Sequence, residues 1–245
     1  MATVLKITDT MDSFEQEVRR LANSQFESEQ YRRVLGMPLT TARAQKYTLQ
    51  KAFWNLNRRD CWANAQALSP MDVKALIWDH ESDELAGNKE RGVEDHYSLQ
   101  VRQSALIGLT RDDFDNESIA DGTLTCIYAW IHLVRDSHWL KSVAACAALE
   151  VSNSSEYVDG GGMSYRMGKR FEADLGIPFD KQVNAKEHAE VDVEHGNLLM
   201  TVAANHAQTK EARDLLLEGL TESWALDRTW KGQLADMMQA LPGPA

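Results

Sequence analysis

Proline is scarce in this 245-residue chain: there are five, and two of them (Pro242, Pro244) fall in the terminal "LPGPA". A chain so poor in the residue that breaks helices is free to be helical over long stretches. Cysteine is scarcer still. Cys61, Cys126 and Cys146 are odd in number and widely spaced, which fits reduced thiols rather than a disulfide framework. No apolar run reaches 18 residues, and the first 30 residues hold none of signal-peptide length, so the expectation is a cytoplasmic protein without a membrane span. Basic residues are outnumbered, with 26 Lys and Arg against 37 Asp and Glu. The net charge of −11 argues against nucleic acid as a partner, because phosphate binding leans on Lys and Arg. The one small basic cluster, "NLNRRD" at 55–60, reads as a solvated or ion-paired helix face.

What is present is the composition of an ordinary globular protein, 43% hydrophobic and 26% charged. Its length suits one domain over 1–245. Apolar residues recur at helical spacing almost throughout. "MDSFEQEVRRLANSQF" stacks Phe14, Val18 and Leu21, and a long helix follows Pro38 with Thr40 or Thr41 as cap. Another starts at Ser69-Pro70, and "DHYSLQVRQSALIGL" stops near Gly108. "HWLKSVAACAALEVS" is apolar nearly all round, the pattern of a central helix. No period-two strand and no fixed repeat occurs. The expectation is an all-α bundle of about eight or nine helices, with irregular loops at 86–94 and 151–163.

Several apparent motifs fail on spacing. "DGGG" at 159–162 followed by "MGKR" lacks the leading glycine, the Ser or Thr after lysine, and the preceding strand of a phosphate loop. "HESDE" at 80–84 lacks the second histidine of a zinc-protease motif. "EHAEVDVEH" is different. On a helix turning about 100° per residue, positions four and seven apart return to within roughly 40°, so His188, Asp192 and His195 share a face. Two imidazoles and a carboxylate suit iron, manganese or zinc. Alone, the pattern also fits an acidic surface helix.

Other candidates accompany it. Glu84 ends an apolar-patterned helix, and His96 opens the next. Glu150 stands on the apolar central helix, where an ionised, unpaired carboxylate would cost several kcal/mol. Glu156 is its rival across the glycine-rich loop, while His80 and Glu81 are supporting groups or alternative ligands. Helices that each point carboxylates or imidazoles inward are how helical folds build two-metal sites, and oxygen-rich ligation favours iron or manganese over structural zinc.

In this order the residues resemble the heme-oxygenase-like diiron oxidases and oxygenases, over most of the chain from "GMPLTTARAQKY" to "NHAQ". That family includes a chlamydial p-aminobenzoate-forming protein and a 1-undecene-forming fatty-acid decarboxylase. The resemblance implies a heme-oxygenase-like helical bundle in which Glu84, His96, Glu150, His188, Asp192 and His195 ligate two Fe(II) ions, with O2 as co-substrate. It implies oxidation of a small amino-acid-derived substrate by desaturation, C–C cleavage or N-oxygenation, a homodimer, and room for an external electron donor. Fatty-acid decarboxylation is the alternative within the family. A metal-independent, thiaminase-like hydrolase using Cys126 or Cys146 is the alternative outside it, although both cysteines read as small core residues. Tyr31 lies near a tyrosine that the chlamydial member consumes. Heme is not expected, since the first histidine is His80.

Overall fold

The computed structural model describes residues 10–244 apart from Glu90, and leaves the side chains of 190–195 outside the description. Among the described residues there are eleven α-helices, two single 3-10 turns and no strand. They run α1 (Met11–Phe26), α2 (Glu29–Gly36), α3 (Thr41–Leu68), α4 (Met71–Ala86), α5 (His96–Ser104), α6 (Arg111–Asn116), α7 (Asp121–Arg135), α8 (Trp139–Asn153), α9 (Met163–Leu175), α10 (Val183–His206) and α11 (Lys210–Gln239). The expected all-α class holds. Two short helices beyond the expected number arise where caps cut the chain: Ser28 caps α2 at Tyr31 N, and Thr110 caps α6 with Asp113 bonding back to its own N–H.

The apolar helix α8 is the axis of the bundle. Every residue from Ser142 to Ser152 is buried, and α11, α10, α3 and α7 pack around it. Its run of alanines and small polar residues keeps those neighbours close. Gly219 of α11 sits directly against the backbone of Lys141, so that a β-carbon there would collide with it. The polar groups on this interface are paired: Trp224 Nε1 donates to the Ala148 carbonyl at 2.9 Å, and Ser223 Oγ donates to the Ala145 carbonyl at 2.7 Å. Trp130 Nε1 donates to the same Ser223 oxygen, which ties α7 to α11. The buried side chains form one contiguous apolar cluster, with Trp62, Trp130, Trp224 and Trp230 among the largest fully enclosed groups. At roughly 25 cal/mol per Å² of apolar surface and about 200 Å² each, the four buried indoles contribute on the order of 20 kcal/mol. The loops expected at 86–94 and 151–163 lie between α4 and α5 and between α8 and α9.

Candidate metal centre

Glu84 occupies the last full turn of α4, and the chain must reverse before α5 begins. Gly87 makes that reversal with φ of +69°, and its missing side chain lets the backbone of Val93, Glu94 and Asp95 fold onto it. Asp95 then caps α5 by accepting from Ser98 N at 2.9 Å, which leaves His96 as the first helical residue. The result is that His96 Nδ1 lies 2.7 Å from Glu84 Oε1, twelve residues back in the chain. His188 arrives from α10, its ring edge-on to His96 with centroids 4.6 Å apart.

One ligand atom from each of Glu84, His96 and His188 falls within 4.8 Å of the others. Metal–donor bonds of about 2.0–2.2 Å put donors up to roughly 4.4 Å apart, so a small closure seats one ion among all three. Two imidazole nitrogens and a carboxylate oxygen form a donor set suited to iron. These residues therefore fit a metal. Glu150 is brought to the same cavity, of about 140 Å³, by α8, and is 6% exposed. It stands beside the three-residue group rather than within it. Glu156 is exposed in the loop after α8, where its carbonyl accepts from Arg19. Asp192 and His195 lie outside the described side chains; the helix backbone of α10 runs through them.

Arg58 and Arg59, adjacent on α3, supply the positive charge that these carboxylates need. Arg58 Nη2 donates to Glu150 Oε1 at 2.6 Å and to the Cys146 carbonyl at 2.9 Å. Arg59 Nη1 stands 2.8 Å from Glu81 and 2.9 Å from Glu84. The "NLNRRD" cluster is thus ion-paired, but inward rather than solvated: Arg58 is 6% exposed. Basic residues beside acidic ones look like any helix surface in a sequence, and only the apolar neighbours Trp54, Cys61 and Trp62 hint at burial. His80, read as a supporting group, does bridge the cluster. Its Nδ1 lies 3.0 Å from Glu81 Oε1 and its Nε2 3.5 Å from Glu150 Oε1.

The electrostatics follow from these contacts. Burial works against ionisation of Glu84, yet Arg59 and His96 hold its carboxyl well below the usual range. Burial likewise opposes the charge on Glu150, and Arg58 with His80 keeps it ionised. Burial would discharge His80, but the bonds to Glu150 and Glu81 outweigh it and raise the imidazole to about 9. By contrast, burial pushes Cys61 and Cys126 up to about 11 and Cys146 well above its ordinary value. None of the three thiols lines the cavity.

An all-helical bundle with a His/His/carboxylate group between its helices is compatible with the class of iron-containing redox enzymes. The model of the family described as "Iron-containing redox enzyme" matches residues 45–228, about three quarters of the chain, and the chain belongs to that family. Solved structures share the fold. A domain of unknown function with a heme oxygenase-like fold from Shewanella denitrificans OS217 superposes with a TM-score of 0.71 at 17% identity, covering 96% of this chain and 95% of that one. A CADD-like protein of unknown function from Nostoc punctiforme PCC 73102 gives 0.72 at 17%, covering 93% and 97%. A TenA family transcription regulator from Silicibacter sp. TM1040 gives 0.61 at 12%, covering 96% and 99%. At these identities the likeness is one of fold. No curated protein sequence matches the chain.

Proposed function

We propose that this chain is a non-heme diiron enzyme that uses O2 to oxidise a small amino-acid-derived substrate. The observation that carries the reading is the meeting of Glu84, His96 and His188, from three helices, within 4.8 Å of one another. Glu150 lines the same cavity from a fourth helix. Glu84, His96, Glu150 and His188 would hold the two ions together with Asp192 and His195, which follow His188 on one helix face in the sequence. When bound, iron supplies the redox equivalents that make O2 reactive.

The chain's own residues have distinct tasks. Arg58 and Arg59 keep Glu150 and Glu84 ionised and aimed at the cavity. His80 orients Glu150 and Glu81 relative to each other. Trp54, stacked on Trp130 at 3.7 Å between centroids, adds apolar surface to the cavity wall. A thiol-dependent hydrolase is disfavoured, since the cysteines are buried, protonated and away from the cavity. The reading includes an external electron donor and a homodimer, and takes neither nucleic acid nor membrane as partner. The acidic charge of −11 supports the first exclusion. Among the described residues, no helix is long and apolar enough to cross a bilayer.

The test is oxygen uptake by Fe(II)-loaded protein offered single amino acids and, separately, alkanoates of matched size. Iron-dependent uptake with an amino acid, and a product changed in mass by oxidation, is expected. Uptake with alkanoates alone would move the substrate to fatty acids. Thiamin cleavage by iron-free protein would overturn the reading.

A further inference from the structure

The cavity that holds the metal residues has a second group of polar side chains on its wall, and the proposed oxidation does not yet use them. Asp227 and Lys231 stand one turn apart on α11, Tyr31 comes from α2 and Tyr47 from α3, and all four line the cavity. Asp227 is 0% exposed, Tyr31 1% and Lys231 4%. Ionised residues are almost never so enclosed without a reason.

The hydrogen bonds show what capacity is left. One oxygen of Asp227 accepts from the Tyr31 hydroxyl, and the other accepts from Lys231 Nζ at 3.0 Å. Each oxygen of the one carboxylate in the group already accepts one hydrogen bond, and Asp227 is fully enclosed. Lys231 has three N–H donors and gives one to Asp227, while its ammonium also lies over the rings of Trp230 at 4.3 Å and Tyr31 at 5.4 Å. The Tyr47 hydroxyl bonds to no described residue. Burial, and the charge of Asp227 nearby, raise the Tyr47 phenol and keep its proton on. What the group still offers to the cavity is donors: two from an ammonium and one from a phenol. Its charge as it stands is balanced by one cation and one anion.

The complement of such a site is a singly charged acceptor with two oxygens. A carboxylate already sets two negative charges against the one cation of the group, and a phosphate dianion would add a third. Trp54 and Trp230, 5.4 Å apart, stand between this group and Arg58, whose guanidinium lies 5.5 Å above the Trp54 ring. An apolar strip thus joins the donor group to the metal residues.

We propose that Lys231 and Tyr47 anchor the carboxylate of the substrate, with Asp227 fixing the ammonium in place. The remainder of a small carboxylic acid then lies along Trp54 and Trp230 towards Glu84, His96 and His188. The inference rests on the oxidative reading of the site and narrows its substrate to acids with a free carboxylate. Asp227 and Lys231 are positioning and binding groups; the oxidised carbon or nitrogen is at the other end of the molecule.

The test uses the full chain, stripped of metal, so that no ion competes for the carboxylate. Hexanoate and the isosteric, neutral hexanamide are titrated by calorimetry. Hexanoate is expected to bind about tenfold or more tightly than hexanamide, as a charge-assisted pair requires. Tyr47→Phe reduces the preference about threefold. The double variant Asp227→Asn/Lys231→Met, which removes both charges together and leaves neither stranded, abolishes it. Lys51→Met, at the same cavity, retains it. Hexanoate bound no more tightly than hexanamide, including binding of neither, overturns the proposal, as does a preference lost in Lys51→Met but kept in the double variant. If the double variant fails to fold, Tyr47→Phe and Lys51→Met decide the matter: a preference unchanged in the first or lost in the second overturns the proposal. Iron plays no part in these titrations. A protein that fails to load iron but keeps the preference contradicts the oxidative function and leaves the carboxylate site standing.

Discussion

At the scale of single residues, the site is a balance between buried carboxylates and the cations that face them. Glu150 is largely shut off from bulk solvent, and Arg58 meets its charge at 2.6 Å. Removing one member of a buried pair strands the other, at a cost of about 3–5 kcal/mol. Arg58→Gln should therefore destabilise the metal-free protein by about that amount in urea titrations, and the deficit should shrink once Fe(II) is present to meet Glu150. A loss below about 1 kcal/mol would mean that Arg58 is not what stabilises Glu150, and a loss unchanged by iron would mean that no bound ion meets it. The cysteines make the opposite point. Thiols at about 11 stay protonated at pH 8.5, where ordinary ones are partly thiolate. Alkylation of Cys61 and Cys126 by iodoacetamide at that pH should be at least about tenfold slower in the native protein than in urea. Fast native alkylation would restore the thiol-dependent alternative.

At the scale of elements, the pairing of Glu84 with His96 depends on how α4 ends and α5 begins. Gly87 at φ +69° is packed under the backbone of Val93 and Asp95, so any side chain there must push the loop away. Gly87→Ala should weaken Fe(II) binding by more than tenfold, with helix content by circular dichroism unchanged. Retained affinity would mean that the turn does not position the ligands. The contact of α11 with α8 has a similar dependence on Gly219, but there the consequence is global: Gly219→Val should lower the melting temperature by several degrees through overpacking. Most elements were legible from apolar periodicity, α8 above all, because a helix buried on every side leaves a run such as "SVAACAALEVS". The breaks before α2 and α6 were not. They are made by single capping side chains, Ser28 and Thr110, that leave the periodicity on either side intact.

At the scale of the whole molecule, the candidate ligands stood out in the sequence because their chemistry contradicts their surroundings: Glu150 in an apolar helix, histidines at the turn spacing of α10. Arg58, Arg59, Asp227 and Lys231 were not, since a basic pair and an i,i+4 Asp–Lys pair are what a solvated helix face displays. Only the packing of α3 and α11 around α8 turns them inward. The bundle's function, on this account, is to hold a group of carboxylates and imidazoles and a group of hydrogen-bond donors on the wall of a single cavity, joined by indoles. The central claim is that Glu84, His96 and His188 bind iron, and metal content after anaerobic loading with Fe(II) tests it most directly. The wild type is expected to hold close to two irons per chain, and His188→Ala far fewer at unchanged helix content. Iron absent from the wild type, or retained in full by His188→Ala, would contradict it.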